Sequence, residues 1–170
     1  MRTGGEIAGL AVVREGERIG RVQDVLFEPN GGKITGFLVS GGGLFSRPQF
    51  LPRLMVRSLG ADAVVVEPSA TLEDVTKDPI VEDSVHARSV DDRPVLDESG
   101  KFIGKVADVA VDPERLTIAA LVVGTGFVDN LLRGKPHLPL EMVKHFGGDS
   151  IVATSAYDPH ASAAHAGAAR

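Results

Sequence analysis

"RIGRVQDVLFEPNGGKITGFLV" (Arg18–Val39) and "FIGKVADVAVDPERLTIAALVV" (Phe102–Val123) are two versions of one stretch. They align without a gap at an offset of 84 residues, and from Ile19 and Ile103 onward eight of 21 positions are identical. Several of the others exchange Lys for Arg, Glu for Asp or one apolar residue for another. Self-similarity at this spacing marks a duplicated unit, so the chain is read as two copies of one fold.

Each copy is a string of short strand signals separated by turn chemistry. Leu10–Val13 leads to Glu15-Gly16-Glu17, and a run from Ile19 to Phe27 ends at Pro29-Asn30-Gly31-Gly32 before a strand at Lys33–Ser40. The second copy repeats this as Pro94–Asp97, Ser99-Gly100, Ile103–Val111, Asp112-Pro113-Glu114 and Leu116–Val123. Gly16 falls on Gly100 and Gly20 on Gly104. Glycine supplies positive φ at the turn, and inside a strand it permits the bend that curls a small sheet. Further on the copies differ by three residues in a Gly-rich loop, after which Met55 matches Met142 and Val56 matches Val143. Leu51-Pro52 and Leu138-Pro139 each precede a segment long enough for one helical turn. The expected organisation is a first repeat at 1–70, a linker at 71–88, a second repeat at 89–156 and a disordered tail at 157–170. A short helix at Leu72–Val75 and a break at Pro79 are expected within the linker.

In the strand Lys33–Ser40, Ile34 and Leu38 alternate with Phe37 and Val39; its counterpart sets Ile118 and Val122 against Leu121 and Val123. Apolar residues on both faces require burial on both faces. The expectation is that one face fills each barrel and the other packs against the sister repeat.

Composition is that of an ordinary globular chain, 43% hydrophobic and 24% charged over 170 residues. The net charge of −5 is shared between the halves, with 10 basic and 12 acidic side chains in residues 1–90 and 8 and 11 in residues 91–170. Neither half has the cationic excess that phosphate backbones demand. One band departs from this: Lys33, Arg47, Arg53 and Arg57 stand between Pro29 and Ala61 without an acid. It reads as a solvated surface band or as a face for an anionic partner, protein or RNA. There is no cysteine, which removes thiolate metal sites and cysteine nucleophiles. The N-terminal stretch has no apolar run long enough for a signal peptide or a membrane span, and cytoplasmic residence is the default.

These features together resemble the PRC-barrel family. The pattern stands here as Gly16, Ile19-Gly20-Arg21-Val22-Gln23-Asp24-Val25, Glu28-Pro29, Gly41-Gly42-Gly43-Leu44-Phe45 and Leu51-Pro52. It recurs as Gly100, Ile103-Gly104-Lys105-Val106-Ala107-Asp108-Val109, Asp112-Pro113, Gly124-Thr125-Gly126-Phe127 and Leu138-Pro139. The resemblance covers residues 5–67 and 89–154. It implies an all-β chain of two tandem small antiparallel β-barrels, with about six strands each and a short helical turn. Known members are adaptors; one is the cytoplasmic part of a photosynthetic reaction-centre subunit, another a domain of a ribosomal RNA maturation factor that contacts a ribosomal protein. This chain shows neither the membrane helix of the first nor the RNA-associated domain of the second.

Enzyme motifs fail on inspection. Gly124-Thr125-Gly126 has Asp129 where a dinucleotide fingerprint needs its third glycine. The Gly-Lys pairs at 32–33, 100–101 and 134–135 lack the glycine five places earlier, and there is no Gly-x-Ser-x-Gly. The five histidines are scattered; His160 and His165 lie five apart in the tail, and His137 beside Pro136 reads as a loop residue. No cofactor and no metal site is expected. Asp24 and Asp108 are either general acid/base groups or ligands, or structural acceptors of backbone N–H groups at a bend; duplication favours the structural role, shared with Gly16, Gly20, Gly100 and Gly104.

The Gly-rich loops are the candidate docking sites. Leu44, Phe45 and Phe50 stand among Arg47, Arg53 and Arg57, and the second loop offers Phe127, Leu131, Leu132 and Arg133. Apolar anchors with arginine beside them suit a protein interface, or else they close each barrel's mouth. The expected function is a non-catalytic interaction module whose partner is an unidentified protein. RNA or a ribosomal protein bound through Lys33–Arg57 is the alternative, and a homodimer is compatible with both.

Overall fold

The repeated Ile-Gly-x-Val-x-Asp stretch forms the longest strand of each half. The computed structural model describes residues 1–41, 47–124 and 135–159. The first half runs β1 (Arg2–Thr3), α1 (Gly4–Ile7), β2 (Ala11–Arg14), β3 (Glu17–Phe27), β4 (Ile34–Ser40), β5 (Gln49–Pro52), a 3-10 turn η1 (Arg53–Met55), β6 (Val56–Leu59) and β7 (Ala63–Val66). Next come β8 (Glu73–Asp74), η2 (Val75–Lys77), α2 (Pro79–Asp83), β9 (Val85–His86) and η3 (Ala87–Val90). The second half repeats the plan as β10 (Pro94–Leu96), β11 (Phe102–Asp112), β12 (Thr117–Gly124), β13 (His137–Pro139), η4 (Leu140–Met142), β14 (Val143–Phe146) and β15 (Ile151–Ala153).

The pairing is equally duplicated. One sheet has the order β6-β7-β2-β3-β4-β5-β8, with β9 also on β3; the other, read in the same sense, is β14-β15-β10-β11-β12-β13. Even the registers coincide: Gly36↔Pro52, Phe37↔Leu51 and Leu38↔Phe50 recur as Ala120↔Pro139, Leu121↔Leu138 and Val122↔His137. The bulge at Arg57 in β6 recurs at Lys144 in β14.

The expectation of antiparallel barrels needs correction. Both sheets are mixed: β2 runs parallel to β7, with Val12 opposite Val64, and β10 parallel to β15, with Val95 opposite Ile151. The cause is the corner after β5 and β13. Three residues of 3-10 turn carry the chain onward without reversing it, so the last strand returns in the same sense as the first. Among the described residues neither hydrogen-bonded path returns on itself.

Two glycine positions explain how the long strands lie so close to their neighbours. A Cβ on Gly20 would sit 2.4 Å from Val39 Cγ1 and 2.6 Å from Ser40 O, and one on Gly104 2.4 Å from Gly124 O and 2.8 Å from Val123 Cγ1. The same neighbours are met in both copies, and no larger side chain fits without moving backbone. The turn before them differs. Glu15 and Gly16 both take positive φ (50° and 86°), which makes a two-residue hairpin turn of the primed kind. In the second copy the loop is longer: Asp97 N donates to Lys101 O, and Gly100 alone keeps the left-handed conformation at 84°.

The chain forms two compact units, one of Met1–Ser89 with Val111–Thr117, the other of Val90–Ala110 with the chain from Ile118 onward. These limits cut across the two repeats. The tip of the β11–β12 hairpin belongs to unit 1, where Ile34 N donates to Leu116 O (3.0 Å) and Lys33 forms a β-bridge with Thr117. The 71–88 segment, expected as a linker, is structured as part of unit 1. Glu73–Asp74 pairs with β5, and Val85–His86 with Leu26 and Phe27 of β3. Pro79 begins a helix rather than breaking one. It occupies the first turn, where its missing N–H costs nothing, and Asp78 caps it by accepting from Ile80 N at 2.8 Å. Tyr157, read as the start of a disordered tail, is buried and donates its backbone N–H to Thr154 O; residues 160–170, with His160 and His165, lie outside the described residues.

The core of unit 1 gathers Ile7, Val12, Val25, Leu26, Phe27, Ile34, Phe37, Phe50, Leu51 and Val64; that of unit 2 gathers Val95, Val106, Val109, Leu121, Val123, Leu138 and Ile151. Phe37 and Leu121, on the faces expected to be covered, are both fully buried.

Candidate functional site

The basic band of the sequence is set out on unit 1 by β4, β5 and η1. Lys33 is exposed just before β4, Arg47 is exposed just before β5, and Arg53 opens η1 half-buried. Arg53 Nη2 donates to the carbonyl of Arg115 at 3.2 Å, while its buried Nε has no hydrogen-bond partner. Arg57, in the β6 bulge, pairs with Glu67 at 3.4 Å across largely solvated surface. Such a pair contributes little to stability. Lys33, Arg47 and Arg53 make no ion pair among the described residues.

Phe50 does not belong on this surface. It points into unit 1 and is fully buried, its ring lying against Gly36 so closely that a Cβ there would stand 2.3 Å from Phe50 Cε2. Both faces of β5 are covered, Phe50 lying on one, beside its ladder partner Leu38 and Gly36, and Leu51 on the other. Phe50 is therefore a core residue and not a docking anchor. Leu44, Phe45, Phe127, Leu131, Leu132 and Arg133 lie outside the described residues.

Asp24 sits at a register shift of β3, 9% exposed. Its Oδ1 accepts from Val25 N (2.8 Å) and Arg88 N (3.2 Å), and Oδ2 lies 3.6 Å from His86 Nδ1. Burial pushes its carboxyl above the ordinary 3.8, with the Arg88 and Val25 amides and then the His86 and Arg88 charges opposing that rise. The arrangement fastens the β9–η3 segment to β3. Asp108 Oδ1 likewise accepts from Val109 N at 2.7 Å. Among the described residues no group of three or more His, Asp or Glu is placed to hold a metal ion. His137 is half-buried in β13, and desolvation lowers its pKa below the usual 6.5.

The model of the PRC-barrel domain matches the chain twice, over residues 1–73 and 82–158. The chain belongs to the PRC-barrel family. No curated protein matches it. PRC-barrel domains are generally non-catalytic protein-interaction modules. The second PRC-barrel match begins at 82, inside the segment expected as linker, which agrees with β9 and η3 being ordered parts of the fold. Among the described residues no helix is long and apolar enough to cross a membrane.

Two residues escaped the sequence reading. Leu54, in η1, is 85% exposed and Ile80, in α2, is 46% exposed, and both line a groove of about 240 Å³ on unit 1. A position-by-position comparison of the PRC-barrel copies carries the signal for Leu54, because Glu141 stands at its place in η4. Ile80 had no such signal; it lies in the segment read as linker. Unit 2 has a hollow of about 350 Å³ near Phe102 and Tyr157, with Asp97 and Lys101 both on its wall. Neither of these two hollows includes Asp24 or Asp108.

Proposed function

We propose that this PRC-barrel protein is a non-catalytic, cytoplasmic adaptor that docks another protein through the basic face of unit 1. Leu44 and Phe45 of the Gly-rich loop serve as apolar anchors beside Arg47, Arg53 and Arg57, and Phe127, Leu131, Leu132 and Arg133 form the matching loop of the second copy. Closure of each sheet into the barrel that the family implies belongs to this reading. The observation that supports it most is the set of cations, Lys33, Arg47 and Arg53, left without an ion pair among the described residues. Arginine beside an apolar anchor is the composition of interface hot spots.

Capture of a partner by the tagged full chain from lysate, after nuclease treatment, tests this. The double variant Phe45→Ala/Arg47→Ala is expected to lose about tenfold or more of the captured protein; undiminished capture overturns the loop assignment. RNA binding is the second reading, favoured by the same band. It requires nuclease-sensitive capture that falls steeply with salt. A single tyrosine and no tryptophan offer few platforms for stacked bases.

A further inference from the structure

We infer that the groove between η1 and α2 of unit 1 seats an apolar side chain of a partner protein whose flanking residues are carboxylates. The inference rests on the interaction-module reading above and names what that module recognises. Its walls are Lys33, Ile34, Pro52, Arg53, Leu54 and Ile80, with Ile34 fully buried and Leu54 and Ile80 standing out into water.

The fold is present twice in this chain, and the rim of this groove only once. Pro52 and Met55 recur as Pro139 and Met142, so the corner keeps its backbone. Between them Arg53 becomes Leu140, which is buried, and Leu54 becomes Glu141, which is exposed; Lys33 becomes Thr117. The 3-10 turn therefore forms as well with a carboxylate at this place, and nothing in the fold requires an 85%-exposed leucine there. Leaving it in water forgoes the gain of burial, which a bound apolar group would recover.

The opposite wall is fixed in place. Asp78 caps α2 at Ile80 N, Ser84 Oγ donates to Ile80 O at 2.6 Å, and Ser84 Oγ and Thr35 Oγ1 lie 2.8 Å apart, which fastens the helix to β4. Charge sets the chemistry of the occupant. Among the described residues Lys33 and Arg53 are on the wall without ion pairs, Glu28 is the one lining acid, and Glu82 and Asp83 of α2 do not line the groove. A carboxylate beside the buried apolar group meets Lys33 or Arg53. Among the described residues no aromatic side chain lines the groove, so these walls offer no surface on which a base stacks.

The test is a methyl NMR titration of the full chain with the capped peptide Gly-Asp-Glu-Leu-Asp-Glu-Gly as probe. The methyl signals of Ile34, Leu54 and Ile80 are expected to shift together and saturate. Leu54→Glu, the residue the second copy uses at that place, should weaken binding about tenfold or more while leaving the remaining spectrum unchanged. Lys33→Thr should weaken it about threefold, and a peptide with Lys for each acid should not bind. Absence of a saturable shift, equal binding by Leu54→Glu, or equal binding of the lysine peptide or of a uridine oligomer overturns the inference. If the peptide does not bind yet capture depends on Phe45 and Arg47, the groove falls and the adaptor reading stands. If groove shifts appear while capture ignores Phe45 and Arg47, the loop assignment falls instead.

Discussion

The corner after β5 and the corner after β13 share a backbone and differ in nearly everything they show to their surroundings. In the ladder just before them, Gly36↔Pro52 and Leu38↔Phe50 of unit 1 stand where unit 2 has Ala120↔Pro139 and Val122↔His137. One copy sets a ring against a bare backbone; the other has a methyl group and a half-buried imidazole at the matching places. The ties at the far end differ too. Arg57 pairs with Glu67 in unit 1, whereas its counterpart Lys144 pairs with Glu98, which also accepts from Ser155 N and Oγ. Registers and bulges are kept while side chains are exchanged. The difference teaches that the template is set by a few close backbone approaches, leaving surfaces free to diverge toward separate tasks.

The sharpest way to break the comparison is at Phe50. Phe50→Ala should cost about 3–5 kcal/mol in denaturant unfolding, because it empties a fully buried site. His137→Ala, half-buried, should cost about 1 kcal/mol or less. Equal costs would mean that the two corners are packed alike. Gly20→Ala and Gly104→Ala should each cost about 2–3 kcal/mol, since the new methyl meets a backbone carbonyl in both copies. A large penalty at one and none at the other would remove the shared cause.

Acid should act in opposite directions through Asp24 of unit 1 and Glu98 of unit 2. Burial raises the Asp24 carboxyl, so folding favours its protonated form. The stability it contributes is fully present below 3.8 and is lost as pH rises through the raised folded value. Glu98 is held at about 2, against an ordinary 4.5, by Lys144 and Ser155. Its contribution is present above 4.5 and is lost as pH falls toward 2. In thermal melts across this range, Asp24→Asn should remove a gain on acidification and Glu98→Gln should remove a loss. The same sign for both would contradict the local environments described. The smallest effect belongs to the exposed pair: Arg57→Ala should change stability by about 0.5 kcal/mol or less, and a larger change would show that the β6 bulge depends on it.

Much of this plan was legible before any coordinates. The long strands, the turns at Gly16 and Gly100 and the helical turn after each Leu-Pro all follow from local chemistry that the duplication states twice, whereas Gly20 and Gly104, expected as bends, are sites of close approach to the neighbouring strand. The parallel pairing of β2 with β7 was not, because strand sense depends on whether the corner reverses the chain, and three residues after a proline do not declare that. Pro79 misled for a different reason: proline breaks a helix interior yet favours a first turn, and only the Asp78 cap decides between them. Phe50 was placed on the surface by its arginine neighbours in sequence, whereas both faces of β5 are covered and Phe50 and Leu51 are both fully buried. Leu54 was visible only against Glu141, a contrast that emerges when differences between the copies are read as closely as identities.

The central claim is that the apolar groove rimmed by Leu54 belongs to one copy of the duplicated fold, the other having Glu141 at that place. Its most direct test is partner capture by matched variants, Leu54→Glu in η1 and Glu141→Ala in η4, with the captured protein quantified by mass spectrometry. The account predicts that Leu54→Glu loses most of the partner and that Glu141→Ala keeps it. Capture indifferent to Leu54→Glu, or lost equally in both, would contradict it.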